Sequence, residues 1–150
     1  RKLGQAIDFI LQSELLFFVG IGTSGIMATY GANLFSSLYK FSLAVTDPQN
    51  SPVYYVSEQF DEHICLIVFS VSGQNEDVVD YINRFRLHHI KVISMTNSAN
   101  STIARISDLN IPYYINVETY QETNITSQLP VVYLLEYLAR EVYYQKHKDM

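Results

Sequence analysis

The run from Cys65 to Asn75, CLIVFSVSGQN, decides how the chain is organised, because an apolar stretch gives way at once to hydroxyls, a glycine and an amide. Cys-Leu-Ile-Val-Phe is short, continuous and rich in β-formers, the pattern of a strand buried on both faces of a parallel sheet. Ser70 then stands at the strand's carboxyl end. Beyond Gly73 the spacing becomes helical, with Val78, Val79, Ile82 and Phe85 on one side and Glu76, Asp77, Arg84 and Arg86 on the other. A strand, a tight polar turn and a helix N-terminus therefore follow one another. Unpaired N–H groups and the positive end of the helix dipole favour a small anion at such a junction. Ser70, Ser72 and Asn75 add donors without adding charge, and Gly73 permits close backbone approach or a positive φ angle. Taken alone, the loop is equally an ordinary strand-to-helix turn in which Ser or Asn caps the helix.

A second stretch breaks that tie. Phe17 to Gly25, FFVGIGTSG, also joins an apolar run to a glycine and hydroxyl turn ahead of a helical pattern. Gly-Ile-Gly-Thr-Ser-Gly followed by Phe-Ser-Val-Ser-Gly-Gln-Asn resembles the SIS, or sugar isomerase, domain family. The match is nearest to the C-terminal effector domain of RpiR-type transcriptional regulators, whose loops typically read Gly-x-Gly-x-Ser and Ser-x-Ser-Gly-x-Thr. Thr46-Asp47, Ser94 to Asn97 and Ser127 to Glu136 are further matching pieces. The resemblance implies a phosphosugar site formed by Gly22, Thr23, Ser24, Ser70, Ser72, Gly73 and Asn75, with Asn75 standing where Thr is usual. Glu118 or Glu122, following the fifth strand at the expected rim, could hydrogen-bond sugar hydroxyls, and the histidines have no Cys or carboxylate partners at metal spacing, so no metal and no cofactor are expected. The implied function is that of a non-enzymatic sensor domain, in a regulator of carbohydrate metabolism genes whose DNA-binding helix-turn-helix domain precedes Arg1. The alternative is a small sugar-phosphate isomerase of the same fold, and a third reading is a dimerisation module with a dead pocket.

Bulk composition bounds these readings. The 150 residues suit one domain, 1–150, and a chain of this size buries roughly 70% of the surface its unfolded form exposes. Hydrophobic residues make up 48% and charged residues only 17%, which argues against disorder and for apolar surface covered by a partner. The 12 tyrosines point the same way, because Tyr covers apolar area while keeping a polar tip. A homodimer or higher even oligomer is expected. With a net charge of −5 and no long basic run, nothing in the chain itself suits nucleic acid. No apolar stretch reaches the roughly 18 residues of a membrane span and no signal-peptide pattern opens the chain, so a cytoplasmic protein is expected. The single cysteine, Cys65, falls within the central strand and reads as a small buried hydrophobe.

The remaining pattern supplies strands and helices in alternation. Leu3, Ala6, Ile7, Ile10 and Leu11 mark an opening helix, and Leu15 to Val19 a first strand. A helix to about Leu38 should bury Ile26, Met27, Tyr30, Leu34, Phe35 and Leu38, with Ala28, Gly31 and Ala32 permitting close packing. Phe41 to Val45 is the second strand, and a short helix is expected over Ser51 to Phe60. After the helix from Asn75 to about His88 comes the fourth strand, Lys91 to Thr96. One helical turn follows at Thr102 to Ile106, then a fifth strand, Leu109 to Ile115, that Pro112 confines to an edge. Helical spacing is read from about Thr123 onward, with Leu134, Leu135, Leu138 and Val142 as its core face. This alternation predicts a three-layer α/β fold, flavodoxin-like, with a five-stranded parallel sheet in the order 2-1-3-4-5.

Two rival chemistries fit poorly. Gly20, Gly22 and Gly25 satisfy a dinucleotide fingerprint, but Asp47 lies 27 residues after Gly20 in a turn-like segment, and the second hydroxyl loop would have no role. Isomerisation needs a base and a ring-opening acid near the sugar. Glu118 and Glu122 could supply a base, but His63 precedes the central strand and His88 and His89 end a helix, where they complement its dipole.

Overall fold

The computed structural model describes residues 1–52, 63–86 and 89–148. Its centre is a parallel sheet of strands β1 (Leu15–Val19), β2 (Ser42–Val45), β3 (Ile64–Ser70), β4 (Lys91–Thr96) and β5 (Leu109–Pro112). They are ordered β2-β1-β3-β4-β5, as the alternation predicts. Helices α1 (Lys2–Leu11), α2 (Thr23–Leu38), α3 (Glu76–Phe85), α4 (Thr102–Ile106) and α5 (Leu129–His147) complete the layers. Because side chains alternate along a strand, β1 serves two cores. Leu16 and Phe18 join Cys65, Ile67 and Phe69 beneath α1, α2 and α5. Phe17 and Val19 join Leu66 and Val68 beneath α3 and α4. All of β3 is buried, which is why its apolar run is unbroken.

Helix α2 packs along its length, with Met27, Tyr30, Leu34 and Leu38 half-buried against the core and its small residues closest to the sheet. Gly25, Ala28, Gly31 and Ala32 face the sheet together with Phe35, whereas Ile26 is 63% exposed. Close approach is the reason. A Cβ on Gly31 would lie 2.8 Å from the Phe18 ring and 3.2 Å from Leu135, so neither β1 nor α5 leaves room for a larger residue. Phe18 in turn packs between Phe35 and Phe69, with ring centroids at 5.3 and 6.3 Å. Tyr30 Oη donates to Glu136 Oε2 at 2.6 Å and ties α2 to α5 at their outer edge.

Several boundaries differ from the sequence expectation. The short helix expected over Ser51 to Phe60 lies almost wholly outside the described residues, as does His88. The fifth strand stops at Pro112 instead of reaching Ile115: Tyr113 N still donates to Thr96 O at 3.0 Å, but Tyr114, at φ 50°, turns the chain out of extended backbone. Asn97 takes over there: its Oδ1 accepts from Ile115 N at 2.6 Å and its Nδ2 donates to Ile115 O at 2.9 Å. The largest difference follows. Thr123 and Asn124, read as the start of the last helix, instead form β7 (Thr123–Asn124) of a small antiparallel hairpin with β6 (Thr119–Tyr120), turned through positive φ at Gln121 and Glu122. The last helix begins only at Leu129, with Pro130 in its first turn.

Candidate functional site

The two glycine and hydroxyl loops leave the carboxyl ends of β1 and β3, neighbouring strands at the point where the sheet order reverses. After β1, Gly20 N donates to Val45 O at 3.1 Å and the chain turns through Gly22, at φ 61°, into α2. No side chain caps this helix, so Thr23 and Ser24 sit in a first turn whose N–H groups remain open to a ligand.

The second loop is built more tightly. Ser70 Oγ accepts from Gly73 N at 3.0 Å, Ser72 Oγ from Gln74 N at 3.1 Å, and Asn75 Oδ1 caps α3 by accepting from Val78 N at 3.1 Å. Each oxygen is thus engaged as an acceptor, which leaves both hydroxyl protons and the Asn75 amide Nδ2 available to donate outward. Gly73, at φ 68°, is required on two grounds: its conformation, and the Ser101 side chain, with which any Cβ would collide. Ile103 N donates to Gly73 O at 2.9 Å and Thr102 Oγ1 to Gln74 Oε1 at 2.6 Å, so the start of α4 braces the loop from behind.

Between the loops lies a cavity of about 200 Å³. Ile21, Thr23 and Ser24 line it from the first loop, and Ser70, Val71, Ser72 and Asn75 from the second. Its third wall is Asn124, Thr126 and Gln128, from the hairpin and the entry to α5. No histidine, lysine or carboxylate is among the described residues that line it. What favours an anion here is the amino end of α2, with hydroxyl and amide donors.

The expected residues are distributed unevenly around this cavity. Thr23, Ser24, Ser70, Ser72 and Asn75 are brought together, while Gly22 and Gly73 shape the loops that carry them. Glu118 and Glu122 are exposed beside and on the hairpin, outside the cavity lining. Asn124, Thr126 and Gln128 were not foreseen. Their only local signal is the run of polar residues, Thr-Asn-Ile-Thr-Ser-Gln, ahead of Leu129-Pro130, and reading that run as helix conceals it. His63 and His89 meet Lys91 at the amino end of the sheet, across the molecule from the cavity. Cys65 is fully buried, and burial pushes its thiol up to about 12. No group of three or more potential metal ligands occurs among the described residues.

A sequence profile of the SIS domain matches residues 9–139. The chain belongs to the SIS domain family. This SIS domain is 28% identical over 136 residues to an uncharacterised HTH-type transcriptional regulator of Clostridium perfringens, covering 90% of this chain and 48% of that protein. It is 27% identical over 140 residues to a glutamine–fructose-6-phosphate aminotransferase (isomerizing) of Sulfurisphaera tokodaii, covering 91% of this chain and 23% of the enzyme. Among solved structures, the Vibrio vulnificus NanR protein complexed with ManNAc-6P superposes with a TM-score of 0.83 at 17% identity, over 99% of this chain and 55% of that one. The SIS domain spans about half the length of the regulator it matches.

Proposed function

We propose that this SIS domain is the ligand-sensing part of a cytoplasmic transcriptional regulator of carbohydrate metabolism and that it binds a phosphorylated sugar without converting it. The observation that carries this reading is the convergence of two uncharged donor loops on one small cavity. Such a cradle suits the phosphate dianion. The cavity wall offers amides and hydroxyls for a polyol and, among the described residues, no group suited to moving a proton near neutral pH. The relatives agree with it in kind: one is an HTH-type regulator, and the NanR structure is a complex with ManNAc-6P. DNA binding is assigned to a helix-turn-helix domain preceding residue 1. A ligand would act by favouring one arrangement of paired domains over another.

Thermal-shift and calorimetric titration with pentose 5-phosphates and hexose 6-phosphates, beside their unphosphorylated parents, tests the binding. Stabilisation by at least one phosphate and by none of the parents is expected. Affinity should rise as pH increases from 5 to 7, because the ligand's second phosphate proton is lost near pH 6 and a donor-only cradle prefers the dianion. The same mixtures followed by NMR test the absence of turnover. Interconversion at about 1 per second or faster would make the protein an isomerase, the alternative that its isomerizing relative keeps in view.

A further inference from the structure

We infer that Gln128 reads the sugar half of the ligand by accepting a hydrogen bond from one of its hydroxyls, an inference that rests on the phosphosugar reading above. Gln128 Oε1 is buried and has no protein hydrogen-bond partner among the described residues, yet Gln128 lines the cavity. A buried acceptor without a partner is costly, and a donor on whatever occupies the cavity would relieve that cost. A phosphate dianion carries acceptors only. The donor must come from the remainder of the ligand, and in a polyhydroxylated sugar phosphate that is an O–H.

The rest of the third wall cannot take this role as readily. Asn124 Oδ1 already accepts from Thr126 N at 2.9 Å and from Thr126 Oγ1, while Thr126 Oγ1 accepts from Glu118 N at 3.0 Å. These groups hold the hairpin together. Gln128 does no such internal work. It is the N-cap residue of α5, where Ser, Thr, Asp or Asn would stabilise the helix, but its side chain makes no cap bond. Its backbone sits at φ −98°, ψ 4°, in the sparsely populated bridge region. Ser127 Oγ instead accepts from Leu129 N at 3.1 Å. A residue whose side chain makes no bond to its own helix, held in an uncommon conformation, lends its acceptor to the cavity.

The test uses Gln128→Met, which keeps the side chain's length and removes the acceptor, with Gln128→Ala as a second variant. Both retain the Gln128 carbonyl that accepts from Val131 N and Val132 N. The probes are glucose 6-phosphate, fructose 6-phosphate and N-acetylmannosamine 6-phosphate with their monodeoxy analogues, titrated by calorimetry. Both variants should weaken the sugar phosphate that binds the wild type by roughly three- to tenfold, the worth of one neutral hydrogen bond. One monodeoxy analogue should lose affinity for the wild type and lose nothing further on Gln128→Met, the non-additivity expected of two groups in contact. Without ligand, Gln128→Met should unfold at a temperature no lower than the wild type. Variants that keep wild-type affinity within twofold, deoxy losses identical in wild type and variant, or a marked fall in unliganded stability each overturn the assignment while leaving the phosphosugar reading intact. A folded wild type that binds none of these phosphates overturns both.

Discussion

At the second loop, the side chains that hold the turn also line the cavity. Ser70 and Ser72 satisfy backbone N–H groups with their oxygens and keep their protons for the cavity. On the proposed phosphosugar reading, removing a hydroxyl therefore costs both a turn contact and a ligand contact. Ser72→Ala and Ser24→Ala should each weaken a sugar phosphate by roughly 10- to 150-fold, the range for a hydrogen bond to a charged group, and calorimetry beside circular dichroism checks that the fold persists. Gly73→Ala should be worse for stability. It adds about 1 to 2 kcal/mol of left-handed backbone strain to the collision with Ser101, so urea midpoints should fall, and Ser101→Gly in the same chain should restore only part of the loss. Cys65 makes the opposite prediction. Its thiol is raised by burial to about 12, so the folded protein holds that proton more tightly than the unfolded chain does. The associated stability is whole below about pH 9 and is lost as pH climbs toward 12. Iodoacetamide at pH 8 should leave Cys65 unmodified in the native protein and alkylate it in urea.

Among the elements, α2 reconciles two demands on one helix. Its first turn must stay uncapped to face the cavity, and its middle must lie close enough to β1 to bring that turn into place. Gly31 satisfies the second. On helix propensity alone Gly31→Ala would stabilise by about 1 kcal/mol, but the added methyl would meet the Phe18 ring at 2.8 Å inside a packed core. Overpacking costs about 1 to 3 kcal/mol, so the expected result is net destabilisation, read as a lower denaturant midpoint at unchanged slope. The hairpin β6–β7 is the second decisive element. Too short to be stable alone, it is held by Thr126, whose Oγ1 meets Glu118 N, and by Ile125 N donating to Glu118 O at 2.8 Å. Thr126→Val should loosen the hairpin, and amide exchange at Glu118 and Ile125 should quicken while the central sheet stays protected.

Over the whole molecule, the outer surfaces of α2 and α5 carry more apolar area than water readily tolerates. Ile26 is 63% exposed, Leu129 74% and Tyr133 69%, with Tyr137 and Tyr144 continuing the stripe along α5. A second copy of the chain covering this stripe is the proposed assembly, in keeping with the tyrosine-rich, lightly charged composition. Sedimentation at micromolar concentration should give a mass near twice 17.2 kDa, and Tyr133→Glu should shift the equilibrium toward monomer. A single species at 17.2 kDa for the wild type would refute the pairing. No helix among the described residues is long and apolar enough to cross a membrane, so a membrane-spanning helix does not account for this apolar area.

The sheet and both donor loops were legible in the sequence because their signals are local. Leu15 to Val19 and Lys91 to Thr96 are read to the residue, since a buried parallel strand is a continuous apolar run ended by polar residues. Ser70 and Asn75 declare themselves at the borders of such runs. Tertiary structure alone decided three matters. It set Gly25, Ala28, Gly31 and Ala32 hard against the sheet and left Ile26 outside, because Phe18 and Leu135 leave no room at Gly31, and periodicity cannot tell how closely a neighbour approaches. It turned Thr119 to Asn124 into a hairpin, because strands of two residues have no period to detect and this one exists through bonds to Thr126. And it brought Asn124 and Gln128 opposite Ser24 and Ser72, residues some hundred and some fifty positions away along the chain. A cavity is a property of such distant pairs, and a sequence pattern records only neighbours.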